Sequence, residues 1–299
     1  MNVALGPALL FINDKAFTDA DIERIQYIGD GGKVRDASRT GRFGQGFNTC
    51  YNVTDHPSLL TGDYVVWFDP HHHVFSEEGN ASAWYLSEVE SYYPAWFKTF
   101  SPAALEPGEK TFPGTVFRLP LRTSEKAGQS EILPEAFTDD NFESILQEIH
   151  KVGPALIVFL RSITRLEIFE IAPNGDRSLR FEISTINEEE VDRHKSKLRK
   201  FVEGHPKALL EQWIASPIQL PVTQYNHAFQ LVDNDGKRRK ETWAVTSGLF
   251  RGPNNELLLS ALDVCQHEEK AIPWASAAIP ITSTSKPQQA GGLACFLPV

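Results

Sequence analysis

The stretch Gly41-Arg-Phe-Gly-Gln-Gly-Phe-Asn48 constrains this chain more than any other, because of what stands on either side of it. Glycines at its first, fourth and sixth positions let the backbone approach an anion closely, and N–H groups at the start of a following helix then point at that anion. Twenty glycines in 299 residues make such a spacing common by chance, so the neighbours carry the case. Leu9 to Ile12 is a short apolar run ending in Asn13-Asp14, which reads as a buried strand delivering two polar side chains at its carboxyl end. Thr18 reads as the N-cap of a helix with Asp21 at its third position, and Phe17 and Ile22 as a hydrophobic staple. Ile22 and Ile25 give that helix a buried face, and Gly29 ends it. The polar segment 30–40, with Gly31-Gly32, has the composition of a mobile lid. Strand, capped helix, polar linker, glycine loop and second helix, in that order, suit a phosphate ligand.

Composition narrows the class. At 299 residues and 41% hydrophobic content the chain can bury a sizeable core, and its length suggests about two domains. A formal charge of −10 argues against nucleic acid, since the cationic runs at 195–200 and 237–240 are short and flanked by acids. No apolar run approaches the ~20 residues of a membrane span and no secretory signal opens the chain, so no membrane partner and a cytoplasmic location are expected. Cys50, Cys265 and Cys295 are far apart and read as reduced thiols; a helix dipole near Cys50 would lower its pKa, but no base partner is visible. His71-His72-His73 reads as a surface turn after the strand Tyr64 to Phe68, because adjacent extended residues point to opposite faces and nothing completes a ligand set. No metal site is expected. There is no Gly-x-Ser-x-Gly elbow and no Walker lysine loop.

Six ordered blocks resemble a known family. Gly6-Pro-Ala-Leu9, Asn13-Asp-Lys-Ala-Phe-Thr18, Gly41 to Asn48, Tyr51-Asn-Val-Thr-Asp55, Phe68-Asp-Pro-His71 and Pro113-Gly-Thr-Val-Phe-Arg-Leu-Pro-Leu121 are together similar to a sacsin repeat, as also found in the plant no-vein proteins. More widely the order resembles the gyrase, heat-shock chaperone, histidine kinase and MutL ATPases. Ile272-Pro-Trp274 and Cys295-Phe-Leu-Pro298 look similar to the far end of the repeat. The resemblance implies an α/β two-layer sandwich of the heat-shock-chaperone ATPase type over residues 1–125, followed by an α+β segment over 126–299. It implies ATP as ligand and protein clients or chaperones as partners. Adenine recognition would fall to Asn13 or Asp14, of which the carboxylate is the better acceptor for an amino group. Phe17 belongs to the same matched block. Gly41, Arg42, Phe43, Gly44, Gln45, Gly46 and Phe47 would cradle the phosphates, and Thr115 would sit beside the adenine.

Two departures qualify this. In that superfamily a helix ahead of the first matched strand supplies a glutamate that activates water and an asparagine that holds magnesium. Only Met1 to Leu5 precede the matched block, and no such pair can be built from them, so no catalytic residue is assigned and hydrolysis by these 299 residues alone is not expected. Magnesium is expected only with such a helix. Asp55, the first acid after the loop, reads as part of a helix-ending turn. A start after the catalytic helix and a stop on a strand suggest a fragment of a longer repeat protein, and the rival function is a nucleotide-free interaction scaffold that keeps the fold. A third is an unrelated phosphate-ligand binder, which a single sheet over residues 6–121 with helices on one face would disfavour.

The second half reads differently. Asp139 or Asp140 can cap a helix with Phe142, Ile145, Leu146, Ile149 and Val152 on one face, ending at Gly153-Pro154. Leu166–Ile171 and Leu179–Ile183 form a hairpin about Pro173-Asn-Gly-Asp176, and Phe229–Val232 and Thr242–Ser247 form another about Asp233-Asn-Asp-Gly236. Glu188 to Val202 reads as a charged helix suited to linking domains, and Leu293 to Leu297 as a final strand.

Overall fold

The computed structural model describes residues 5–19, 21–22, 45–72, 81–160, 162–202, 206–216, 219–266 and 274–283. They divide into two compact units, with the boundary inside helix Asp139–Phe159, between Ser144 and Ile145. Each unit is a five-stranded, wholly antiparallel sheet with helices, so the chain is a mixed α and β protein. No helix among the described residues is long and apolar enough to cross a membrane.

In the first unit β1 (Ala8–Asn13), β2 (Ser58–Gly62), β3 (Tyr64–Phe68), β4 (Ala81–Tyr85) and β5 (Phe112–Pro120) lie in the order β1-β5-β2-β3-β4. Side chains alternate across a strand, and here both faces are covered. Leu60, Val65, Trp67 and Val116 meet Leu86, Val89, Trp96, Phe97 and Phe100 from the helical stretch 86–103. On the opposite face Leu59, Val66, Phe68 and Phe117 meet Phe17, Ile22 and Phe47. Residues 8–120 therefore share one sheet, whose two cores stabilise it by about 2 kcal/mol for each large apolar side chain fully buried. Thr18 and Asp21 make the expected cap, the Asp21 N–H donating to Thr18 Oγ1 at 3.3 Å and the Thr18 N–H to Asp21 Oδ2 at 3.2 Å, and the staple pair Phe17 and Ile22 sits in the second core.

In the second unit β6 (Arg165–Ile171), β7 (Arg177–Thr185), β8 (Val222–Asp233), β9 (Arg238–Leu249) and β10 (Trp274–Ser283) run β10-β9-β8-β7-β6. Both expected hairpins form, with β8 and β9 longer than the sequence signal because their outer halves alternate polar and apolar residues. Helix Glu188–Val202 forms as expected and lies on the sheet through Val191. Helices Pro206–Ala215 and Glu256–Gln266 pair through Leu210, Trp213, Leu258 and Ala261. Arg251 donates to the carbonyls of Trp213 at 2.6 Å and Ser216 at 2.9 Å, satisfying acceptors that the end of the first of these helices leaves open.

Three local expectations are corrected. Helix Asp139–Phe159 continues through Pro154 instead of stopping there: the ring forfeits one backbone hydrogen bond, but Ile157, Val158 and Phe159 are buried beyond it and outweigh that loss. Its cap is Thr138, which shares reciprocal contacts with Asn141, and not Asp139 or Asp140. The segment after the glycine loop is one α turn, Gln45–Asn48, followed by a 3₁₀ turn, Thr49–Asn52. The linker 30–40, residues 41–44 of the glycine loop and the strand expected at 293–297 lie outside the described residues.

Candidate functional site

The site is built on the carboxyl end of β1 and the turn that follows. Asn13 pairs with Thr115 on β5, and Thr115 pairs on its other side with Thr61 on β2. Thr61 and Thr115 are both fully buried, and their hydroxyl oxygens stand 3.0 Å apart. Thr115 Oγ1 donates to the Lys15 carbonyl at 2.7 Å, and Thr61 Oγ1 accepts the Phe17 N–H at 2.8 Å. The turn is thus fastened to the sheet by side chains at the point where ladder hydrogen bonds stop. The other end of β1 is fastened too, by Arg118 Nη2 donating to the Gly6 carbonyl at 3.0 Å. Burial pushes the Arg118 guanidinium down to about 10.

Asn13 and Asp14 are exposed but differ in what they hold. Asn13 Oδ1 accepts the Lys15 N–H at 3.0 Å, an Asx turn that spends its acceptor on the backbone. Asp14 makes no hydrogen bond or ion pair among the described residues. Gly114 explains how the turn lies so close: a Cβ there would stand 2.2 Å from the Asn13 carbonyl oxygen.

Two aromatic rings join this turn to the segment after the glycine loop. Phe17 meets Phe117 edge-on at 5.9 Å, and Phe47 meets Phe117 at 5.9 Å and Phe68 at 4.7 Å. Phe117 and Thr115 share a face, on which Phe17 and Phe47 pack and at whose edge Asn13 pairs with Thr115; Asp14 is the next residue along the turn. Gln45 and Gly46 lie in the short helix beside them, whereas Gly41, Arg42, Phe43 and Gly44 lie outside the described residues. Thr61 and Gly114 have no role in the local sequence signal. A Thr in a strand is ordinary, and only the strand order brings Thr61 to Thr115.

Other candidates resolve into structure. Asp55 Oδ1 accepts from Arg122 Nε at 3.0 Å, from its Nη2 at 2.6 Å and from Ser130 at 2.9 Å, while Arg122 Nη2 also donates to the Tyr51 carbonyl at 2.7 Å. This ties the segment after the glycine loop to the end of β5, in keeping with a turn residue. Cys50 is buried and its thiol is pushed up to about 12, so desolvation overrides the helix-end effect expected to lower it. Among the described residues no three His, Cys, Asp or Glu side chains are placed to hold a metal ion, so none is assigned to magnesium.

The profile of the Sacsin domain matches residues 1–182, more than half of the chain. The chain belongs to the Sacsin-domain family. Human Sacsin is 25% identical to it over 308 aligned residues, which cover 98% of this chain. They cover 6% of Sacsin, so the chain spans a small part of the length of that relative.

Proposed function

We propose that the first unit is an adenine-nucleotide-binding module of the heat-shock-chaperone ATPase type, in a cytoplasmic protein that handles protein clients or co-operates with chaperones. Asp14 anchors the adenine amino group, and residues 41–47 cradle the phosphates. The observation that carries this is the turn after β1: it bears an exposed Asp14 with no hydrogen bond or ion pair among the described residues, and it is fastened by Thr115 and Phe17 to the sheet face that Phe47 also covers. A carboxylate accepts from an exocyclic amino group without having to be oriented, whereas Asn13 has already given its acceptor to Lys15. The reading is binding and not hydrolysis. Asp55, the first acid after the glycine loop, is held by Arg122 and Ser130 and does not serve as a base.

The nucleotide-free scaffold keeps one supporting observation. Thr115 is fully buried and its proton is already given to Lys15, as it would be in a fold that no longer takes a ligand. Titration calorimetry of the full chain with ATP separates the two. The wild type binds, and Asp14→Asn, which keeps the shape but adds donors where acceptors are needed, weakens binding by ~1 to 3 kcal/mol. No binding by the wild type leaves the scaffold, whereas equal affinity in Asp14→Asn overturns Asp14 as the anchor.

A further inference from the structure

Asp14 owes its position to hydroxyl groups far away in sequence. Each threonine hydroxyl has one proton to give. Thr115 gives its proton to the Lys15 carbonyl, which can only accept, so in its contact with Thr61 it is the acceptor. Thr61 donates to Thr115, or to the Gly114 carbonyl at 3.2 Å, and accepts the Phe17 N–H. When Thr61 donates to Thr115 the bonds run in one direction, from the Phe17 N–H through Thr61 and Thr115 to the Lys15 carbonyl; when it donates to Gly114 the two hydroxyls still hold the turn, each by its own backbone bond. Together they hold the turn by two backbone groups that bracket Ala16, the first of them on the residue immediately after Asp14. Gly114 lets the turn lie against β5, but it supplies no side-chain bond; the hydroxyl pair does that.

We infer that Thr61 is a positioning residue for the proposed adenine site, setting through Thr115 and the turn 13–17 the direction in which the Asp14 carboxylate points. The inference rests on the nucleotide-binding reading and extends it to a residue that touches no ligand. Valine has the shape of threonine without the hydroxyl, so Thr61→Val leaves the Phe17 N–H without its acceptor and takes from Thr115 the donor on its other side. Serine keeps the hydroxyl. Asp14 then lies on a turn that β2 no longer holds.

The test is calorimetric ATP binding by the full chain for wild type, Thr61→Val, Thr61→Ser, Asp14→Asn and the Thr61→Val/Asp14→Asn double variant. Thr61→Val is expected to weaken binding about tenfold, Thr61→Ser to bind within about threefold of wild type, and the double variant to bind no more weakly than Asp14→Asn alone. Rescue by serine and loss of additivity are results that a general loss of stability does not give. A wild type that binds while Thr61→Val binds equally well, or losses that simply add in the double variant, overturns the positioning role and leaves Asp14 as the anchor. A wild type that does not bind ATP overturns both. If Thr61→Val does not fold, amide exchange in the wild type decides: ATP slows exchange of the Phe17 N–H, and an unchanged rate overturns the inference.

Discussion

Both sheets bury hydroxyl groups between neighbouring strands, and they differ in where those hydroxyls send their hydrogen bonds. In the first unit Thr61 and Thr115 reach out of the sheet to the backbone of an irregular turn that carries an exposed carboxylate. In the second, the polar stripe is answered from within. Thr185 bonds His227 Nε2 at 3.0 Å, Thr223 bonds His194 Nδ1 from helix Glu188–Val202, and Ser247 bonds Ser276 and the Trp274 indole. His194 stacks on Tyr225 at 5.0 Å, which closes the stripe under the helix. A buried hydroxyl pair thus suggests a site when its network ends on an exposed group, and packing when it ends on other buried side chains. Burial pushes His227 in that stripe down to about 4 and Tyr225 up to about 12.

The largest expected effect comes from breaking the first network at its closest approach. Gly114→Ala puts a methyl group 2.2 Å from the Asn13 carbonyl oxygen, a backbone atom that cannot swing aside, so the end of β1 must part from β5. Expected are a loss of about 3 kcal/mol in stability and ATP binding too weak to measure by calorimetry. Melting of the first unit near wild type with unchanged ATP affinity would mean that the turn does not need this contact.

The second unit responds to acid instead. His227 is 1% exposed, and burial, with the Lys195 charge adding to it, holds its pKa below that of a free histidine. The folded form therefore favours the neutral ring, and the unfolded chain takes up the proton first as pH falls. The stabilisation is complete above the unfolded pKa of about 6.5 and is lost as pH drops towards 4, amounting to about 2 kcal/mol between pH 7 and pH 4.5. Urea unfolding at the two pH values measures it, and His227→Gln should flatten the difference without changing ATP affinity at pH 7. A shift in ATP affinity would join two networks that the comparison separates.

These contrasts also mark what was legible in the sequence. Strand β1 was readable in its place but not in its burial, since as an edge strand it leaves Phe11 and Ile12 exposed, whereas the Thr18–Asp21 cap and its Phe17–Ile22 staple were readable because each depends on residues within a few positions of one another. So were the hairpins β6–β7 and β8–β9, where turn residues fix the register. The end of helix Asp139–Phe159 was not, because its run past Pro154 is decided by burial of Ile157 and Val158, which a local breaker rule does not contain. Asn13 and Asp14 were named together with the carboxylate as the better acceptor, and the Asx bond between Asn13 and Lys15, two residues apart, is the local contact by which they differ. Thr61 was invisible because its partner Thr115 is 54 residues away.

A smaller effect is expected at Asn13. Asn13→Ala removes the Asx bond to Lys15 but leaves Lys15 and Phe17 held by the threonines, so ATP affinity should fall by about 0.5 to 1 kcal/mol, less than for Asp14→Asn. Calorimetry on the two variants orders them. A damaging Asn13→Ala beside a silent Asp14→Asn would move the anchor by one residue.

The smallest effect tests the packing half of the comparison. Ser276 on β10 reaches Ser247 on β9, and Ser247 also accepts from the Trp274 indole N–H at 2.8 Å. In Ser276→Ala the tryptophan bond remains, and the buried Ser247 hydroxyl loses a single neighbour. The expected cost is about 1 kcal/mol of stability, read from urea unfolding. ATP affinity should stay at the wild-type value, because this network ends on buried side chains of its own sheet. If removing this hydroxyl weakened nucleotide binding as Thr61→Val is expected to, where a hydroxyl network ends would no longer distinguish a site from a core.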